Sequence, residues 1–278
     1  MATVATVWNL QVGITWQPSL PVVLVIPVAM LFLSGVYSIL RPAPTMAEAL
    51  FYLALWTAFP FLGVRLSYLC FAIGRPLTDT AFAHADDVLG LDWLAWANFV
   101  SRHPLFLRAQ WIAYGSYIWQ PAVAVVVLAL RRPREGNAEL FNALFTSLVL
   151  TLATVALFPA IGALAALGLN APAAPIVHIL REAPAAHPLP YSGIVAFPSF
   201  HTVMAILFVY ACRGSRYLFP AAFLLNALVV ISVPLGGDHY FVDVFGGAVV
   251  SFIGITIART MARASRHRGP PPAVVTPR

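Results

Sequence analysis

The stretch LFPAAFLLNALVVISVPLGGDHYFVD, residues 218–243, joins a long apolar run to a short polar cluster. Residues 218–235 contain no charged side chain, and a helix needs about 20 mostly apolar residues to cross a bilayer. The cluster that follows holds one histidine and two aspartates. Ionisable residues at the end of a membrane span are costly and usually serve a function. The stretch therefore predicts a membrane helix that leads directly into a functional site.

The rest of the chain has the same apolar character. Of its 278 residues, 60% are hydrophobic and only 9% are charged, whereas a soluble domain carries roughly 25% charged residues. Together with a mean hydropathy of +0.84, this composition predicts an all-α, polytopic helical bundle embedded in a membrane bilayer. The net charge of +6 comes from arginines spread over short loops, which argues against a nucleic-acid partner.

Hydropathy predicts seven membrane helices. They lie near residues 19–40, 47–73, 105–130, 140–168, 198–212, 217–235 and 240–261. The first is interpreted as an extra span in an N-terminal segment, 1–46, and the other six as a core domain, 47–261. Segment 77–101 mixes aspartates with large apolar residues, which predicts an interfacial helix. The basic, proline-rich residues 262–278 are expected to form a disordered cytoplasmic tail.

The arginines divide unequally between the two sides of this predicted bundle. The larger group comprises Arg41, Arg131, Arg132, Arg134, Arg213, Arg216, Arg259, Arg263, Arg266, Arg268 and Arg278. The smaller group comprises Arg75, Arg102, Arg108 and Arg181. The positive-inside rule makes the first side cytoplasmic. The size and the absence of lysine fit a bacterial protein, so the polar cluster at 237–243 is predicted to face the periplasm from the inner membrane.

A first histidine motif, Phe197–His201, opens the fifth predicted span. It places Ser199 and His201 at a helix N-terminus, where free N–H groups and the helix dipole favour an anion. Taken alone, Ser199 has an ordinary interpretation as an N-cap.

A second motif, Gly237–Asp243, opens the last span on the same side of the membrane. It places His239 and Asp243 four residues apart, on one face of a helix. A carboxylate on one imidazole nitrogen fixes the tautomer and leaves the other nitrogen free to attack phosphorus. This spacing alone is common by chance, but the occurrence of both motifs at span starts on one side favours phosphoryl transfer.

The two motifs resemble the second and third signatures of the type 2 phosphatidic acid phosphatase superfamily. The matching residues are Pro198-Ser199-Phe200-His201 and His239-Tyr240-x-x-Asp243. Further likeness lies in Phe158-Pro159-Ala160-Ile161-Gly162, His178-Ile179-Leu180-Arg181, Asp87 and Leu89-Gly90-Leu91-Asp92-Trp93. These features are similar to the branch typified by inositol phosphorylceramide synthases and related bacterial phosphatase-like proteins. The resemblance covers roughly residues 50–260.

The resemblance implies a role for each residue of the motifs. His239 would be the nucleophile that forms a phosphohistidine, Asp243 would orient it, and His201 would protonate the leaving alcohol. No metal and no cofactor are implied.

This chain departs from the family pattern in its phosphate-binding cations. The usual K-x-x-x-x-x-x-R-P signature is absent, Val233 stands where an arginine is usual, and Phe200 replaces the common glycine. The phosphate-binding residues are therefore expected to be Ser199, Phe200, Gly237 and Arg181, the last because it lies in the loop that enters the first motif.

Three functions fit this sequence. The preferred one is a lipid phosphate phosphatase, in which water resolves the phosphohistidine. In the alternative, a phospholipid or sphingolipid head-group phosphotransferase, a hydroxyl group resolves it. A non-catalytic membrane scaffold is the third, and it predicts that His239→Ala keeps full activity in cells.

Overall fold

The computed structural model describes residues 13–16, 20–131, 135–185 and 187–267, and within these ranges the chain forms helices and loops. No strand occurs in the described part, where Trp16 and Leu189 form one isolated parallel bridge. The described residues form twelve α-helices, which are α1 (Leu20–Ile39), α2 (Pro44–Ala72), α3 (Asp79–Val88), α4 (Trp93–Ser101), α5 (Pro104–Gly115), α6 (Gln120–Arg131), α7 (Glu135–Leu157), α8 (Ala163–Ala166), α9 (Ala174–Glu182), α10 (Phe200–Cys212), α11 (Leu218–Gly236) and α12 (Phe241–His267). The predicted all-α membrane bundle is confirmed.

The apolar helices are less uniform than the hydropathy prediction. Four of the described helices, α2, α7, α11 and α12, are each long and apolar enough to cross a membrane. A fifth span results if α5 and α6 are counted together, although the two helices are bent by 55° at their junction. The described apolar part of α1, Leu24–Ile39, and α10 are shorter than a full crossing.

Two of the predicted spans differ from the observed helices at prolines. The span predicted at 105–130 is broken by a 3-10 turn, Ser116–Ile118, just before Pro121, which has no N–H for a continuous helix. The span predicted at 140–168 ends at Leu157 because Pro159 disfavours helical geometry in the residue before it.

The first and the last described helix can be compared with the predicted domain boundaries. At the N-terminal end, α1 packs against α2, and none of its residues 24–39, whose side chains are described, belongs to the main hydrophobic core. At the C-terminal end, α12 continues to His267 rather than ending at 261. The remaining predicted tail, 268–278, lies outside the described residues, as do Arg132 and Arg134.

The core brings the N-termini of α10 and α12 side by side. Helix α12 packs on α7 and on α10, while α11 packs on α10 and α5. Gly254 of α12 allows the closest approach, because a Cβ there would collide with the Ser147 hydroxyl and lie 2.8 Å from the Ala143 carbonyl oxygen of α7. The two histidine motifs therefore meet at one end of the bundle. The short helices α3 and α4, the predicted interfacial segment, contact the same end.

Candidate active site

The imidazole of His239 is held by the carboxylate of Asp243. His239 lies in the loop between α11 and α12, and Asp243 lies in the first turn of α12. The Nδ1 atom of His239 is 3.0 Å from Oδ2 of Asp243, which also accepts a hydrogen bond from the Tyr240 N–H at 2.9 Å. Both side chains are buried. Because Nδ1 is engaged, Nε2 is the nitrogen left for chemistry.

Ser199 is both the N-cap of α10 and a direct neighbour of the His239 ring. Its hydroxyl caps α10 by accepting from the Thr202 N–H, and its own N–H donates to the Asp243 carbonyl oxygen at 3.0 Å. The same hydroxyl oxygen lies 3.5 Å from Nε2 of His239. The N-cap of one helix is thus tied to the first turn of the other.

The N-terminus of α10 offers donors beside the His239 ring. Among the hydrogen bonds of the described residues, the N–H groups of Phe200 and His201 have no acceptor. Free N–H groups in the first turn of a helix, with the positive end of its dipole, form a ready site for an anion. The Phe200 ring points away into the core and stacks on Phe59, with ring centroids 5.9 Å apart. Its backbone, not its side chain, faces the site.

His201 faces His239 and is held by a residue that the sequence motifs do not include. The two imidazole centroids are 6.1 Å apart. The hydroxyl of Tyr114, on α5, lies 3.1 Å from Nδ1 of His201, and the centroids of these two rings are 4.5 Å apart. When Nδ1–H donates to the Tyr114 hydroxyl, Nε2 is the nitrogen of His201 that can gain and lose a proton. Two tyrosines, Tyr114 and Tyr117, in an apolar segment were the only sequence signal for this contact.

Gly237 lies so close to Tyr114 and His239 that only a residue without a side chain fits there. A Cβ at Gly237 would lie 2.6 Å from the Tyr114 hydroxyl and 2.8 Å from Nε2 of His239, so a larger residue has no room. Its N–H, however, donates to the Val233 carbonyl oxygen at 3.1 Å and is not free for phosphate.

Arg181 lies on α9, and its guanidinium donates to the Arg75 carbonyl oxygen at 2.6 Å. Among the described residues, no hydrogen bond joins an arginine to Ser199, His201 or His239. The phosphate-binding role of Arg181 stays a prediction.

Two aspartates of α3 form hydrogen bonds with the loop that carries His239, residues 237–240 (the histidine loop), and with its neighbours. The carboxylate of Asp86 accepts from the Phe241 and Val242 N–H groups at 2.8 Å each, and so caps α12 across 155 residues of sequence. Asp79, two helical turns earlier, accepts from the Ile161 N–H at 2.9 Å and from the Tyr240 hydroxyl at 2.9 Å. The seven-residue spacing of the two acids on one helix was the available signal.

These contacts change the interpretation of the acidic segment. Burial raises the pKa of Asp86, while the N–H groups of Phe241 and Val242 oppose that rise. Asp87, which carries the family resemblance, is exposed. Of these two neighbouring acids, Asp86 is therefore the one that contacts the residues beside His239.

Asp238 connects the histidine loop to the loop after α7. Its backbone has a positive φ of 55°, which aspartate tolerates better than most residues. Its Oδ1 atom accepts from the Leu164 N–H at 2.7 Å, and its Oδ2 atom is buried without a partner. Burial raises the pKa of Asp238 to about 6, opposed by the Leu164 N–H and by the charge of His239. Gly162, with a φ of 140°, leaves the space that this carboxylate occupies.

The site residues do not form a metal-binding cluster. No group of three or more potential ligands among histidine, cysteine, aspartate and glutamate occurs in the ranges that the structure describes. The chemistry available to the chain's own residues is an imidazole nucleophile, a second imidazole and backbone N–H donors.

Comparison with known proteins identifies one family. The model of the PAP2 superfamily matches residues 80–257, which include both histidine motifs and most of the described helices. No curated protein and no solved structure matches the chain. The likeness to inositol phosphorylceramide synthases stays a prediction.

Proposed function

Because the chain belongs to the PAP2 superfamily, which is of the phosphatase and phosphotransferase type, we propose that it is a membrane phosphatase that hydrolyses a lipid phosphate through a phosphohistidine. One observation carries this proposal. The Nε2 atom of His239 faces the Ser199 hydroxyl and the free N–H groups of α10, while Nδ1 is fixed by Asp243. A nucleophile with an orienting carboxylate and an anion site beside it is the arrangement that phosphoryl transfer needs.

In the first step, Nε2 of His239 forms a bond to phosphorus as the bond from phosphorus to the lipid oxygen breaks. His201, as an imidazolium whose Nδ1–H donates to the Tyr114 hydroxyl, donates its Nε2 proton to that oxygen. His201 thereby becomes a neutral imidazole, and the lipid leaves as a neutral alcohol. Ser199 and the N–H groups of Phe200 and His201 hold the phosphate oxygens.

In the second step, water replaces the alcohol. His201, which has given up its Nε2 proton, takes a proton from the water while the water oxygen bonds to phosphorus. The bond from phosphorus to His239 breaks and inorganic phosphate leaves, so both imidazoles return to their starting state.

The arginine distribution supports an outward-facing site. The catalytic end of the bundle carries the smaller arginine group, so the positive-inside rule favours the periplasm of a bacterial inner membrane for that end. A site at the ends of membrane helices suits a substrate whose phosphate lies at the interface, which favours a lipid phosphate or diphosphate.

A head-group phosphotransferase is the second candidate. The observation that favours it is the lack, among the described residues, of an arginine bonded to the site, which departs from the usual phosphatase signature and matches the branch that the sequence resembles. In this case a lipid or sugar hydroxyl replaces water in the second step.

Phosphate release from a purified lipid phosphate, in detergent and without added alcohol, tests the proposal. The unmodified protein should release phosphate, and His239→Ala should abolish the release. His84→Ala is the control, because this histidine is exposed on α3. Full activity of His239→Ala would show that His239 is not the nucleophile, and strict dependence on an added alcohol would favour the phosphotransferase.

A further inference from the structure

A polar cavity lies at the end of the bundle opposite to the histidines. It has a volume of about 280 Å³ and is formed by α7, α10 and α12. Its lining residues are Glu139, Arg213, Arg259, Ala262, Arg263 and Arg266. Four arginines thus face one glutamate, and the cavity carries a net positive charge.

The one carboxylate that lines the cavity, that of Glu139, already forms an ion pair. Arg213 donates to the Glu139 carboxylate at 2.7 Å, and the Tyr210 hydroxyl donates to the same oxygen. The Arg213 guanidinium also stacks over the Tyr210 ring, 3.7 Å from its centroid, and donates to the Tyr210 carbonyl oxygen at 2.8 Å. This network fixes one wall of the cavity and pairs its glutamate with Arg213.

Two of the remaining arginines have no acidic partner. Arg266 pairs with Glu135 at 2.8 Å, where both side chains are more than half exposed. No described carboxylate forms an ion pair with Arg259 or Arg263. Arg259, Arg263 and Arg266 are spaced by four and three residues, so they lie along one face of α12. Two unpaired guanidinium groups therefore face the cavity.

The distance along α12 between the histidine end and the cavity matches the thickness of a bilayer. From Phe241, at the start of α12, to Arg259 the helix rises by about 27 Å at 1.5 Å per residue. The hydrocarbon core of a bilayer is about 30 Å thick. When the histidines lie at one head-group layer, Arg259 and Arg263 lie at the other.

The surface between the two ends is apolar and open to lipid. On α12, Phe245 is 57% exposed, Val249 is 58% exposed and Phe252 is 64% exposed. These residues precede Arg259 by about two to four turns of helix and lie on the same face of α12. A molecule held by the arginines would therefore have its apolar part along this face of α12.

We propose that this cavity binds the phosphate head group of an anionic phospholipid in the leaflet opposite to the histidines. Guanidinium groups match phosphate oxygens in charge and in planar, bidentate geometry. Basic pockets between membrane helices at head-group depth recognise lipids in this way. The site is separate from the histidines, so the proposal does not depend on the proposed phosphatase activity.

The test measures lipid binding by the purified, delipidated full chain, with native mass spectrometry as the readout. The protein is titrated with a phosphatidylglycerol, with a phosphatidylcholine of the same chains, and with inorganic phosphate. The unmodified protein should bind phosphatidylglycerol more tightly than either of the others. Arg259→Gln with Arg263→Gln should weaken phosphatidylglycerol binding by about 20- to 30-fold, from the roughly fivefold that each basic residue contributes near an anionic surface.

Two control proteins make the result specific. Arg102→Gln with Arg216→Gln removes the same number of charges from exposed positions outside the cavity and should leave the affinity unchanged. Arg259→Lys with Arg263→Lys keeps the charge and should weaken binding only partly. Unchanged affinity in the double glutamine protein would overturn the proposal. Equal binding of inorganic phosphate and phosphatidylglycerol would also overturn it, because the cavity would then recognise a free anion.

Discussion

At the scale of single residues, the proposed catalysis depends on which nitrogen of each histidine carries a proton. Asp243 acts on Nδ1 of His239, and Tyr114 acts on Nδ1 of His201. Each contact leaves Nε2 directed toward the space between the two rings. The two partners can be changed without removing the histidines themselves.

Asp243→Asn should lower kcat by about 10²–10⁴-fold, the range for losing the carboxylate that orients a catalytic imidazole. The asparagine oxygen can still accept from the Tyr240 N–H, so the fold should be kept. Phosphate release gives kcat, and thermal unfolding in detergent checks the fold. Normal kcat in a folded Asp243→Asn protein would contradict the assigned role of the carboxylate.

Tyr114→Phe should lower kcat by about 5- to 10-fold, the equivalent of one hydrogen bond of about 1 kcal/mol. KM should change little, and the pH profile of kcat should shift because His201 loses its partner. Tyr117→Phe is the matched control. The ring centroids of Tyr117 and His201 are 5.0 Å apart, but no described residue forms a hydrogen bond with the Tyr117 hydroxyl. Identical behaviour of the two variants would show that the Tyr114 hydroxyl does not position His201.

At the scale of elements, the start of α12 is stabilised by a side chain from another helix. Asp86 of α3 accepts from two N–H groups that the first turn of α12 leaves without a partner inside the helix. The end of α11, which leads into the loop that carries His239, is held by Trp93 of α4, whose indole N–H donates to the Pro234 carbonyl oxygen at 3.2 Å. Helices α3 and α4 therefore act as supports for the candidate site.

Asp86→Ala should destabilise the protein by about 1–2 kcal/mol, as the loss of an N-cap does. It should also reduce activity, because His239 lies just before the capped turn that begins at Phe241. Asp87→Ala removes an exposed neighbour and should have little effect on either quantity. Unfolding in detergent and phosphate release measure the two effects. Equal stability of the two variants would contradict the capping role.

Asp238 should make stability depend on pH. Its pKa in the fold is about 6, whereas an unperturbed aspartate has a pKa of about 3.9. Between about pH 4 and 6 the folded protein therefore holds a proton that the unfolded chain has released, and stability falls as the pH rises through this window. Asp238→Asn should flatten that part of the curve, and Asp87→Asn should not. Thermal unfolding midpoints across the window measure the slope.

At the scale of the whole molecule, the two ends of the bundle differ in chemistry. One end holds the histidines, the buried acids and few arginines, while the other end holds the arginine cavity. This asymmetry supports the sidedness that the loop arginines predict.

A cysteine at position 84 should react with a membrane-impermeant thiol reagent from outside intact cells, whereas a cysteine at position 216 should not. Both substitutions, His84→Cys and Arg216→Cys, replace exposed side chains at opposite ends of the bundle. Cys70 and Cys212 are first changed to serine to remove the natural thiols. The reverse labelling pattern would contradict the proposed outward orientation.

Much of this protein can be predicted from its sequence because the relevant physics is local. Apolar runs of span length require helices in a bilayer, and the four-residue spacing of His239 and Asp243 makes their contact almost independent of the rest of the chain. Ser199 as an N-cap is equally local. The fold class, the contact between His239 and Asp243 and the helix N-terminus therefore follow from the order of the residues alone.

The remaining features depend on contacts between distant segments. Tyr114 and His201 are 87 residues apart, Asp86 and Phe241 are 155 apart, and the arginine cavity combines three helices. Hydropathy does not determine which helices pack together, since every apolar face is equally suited to lipid. Packing alone brings His201 to His239, buries Asp86 instead of Asp87 and leaves Arg181 on the Arg75 carbonyl oxygen. The sequence by itself determined the apolar helices and the contact between His239 and Asp243. Tertiary structure decided which residues support them, because side-chain contacts across helices exist only once the bundle has formed.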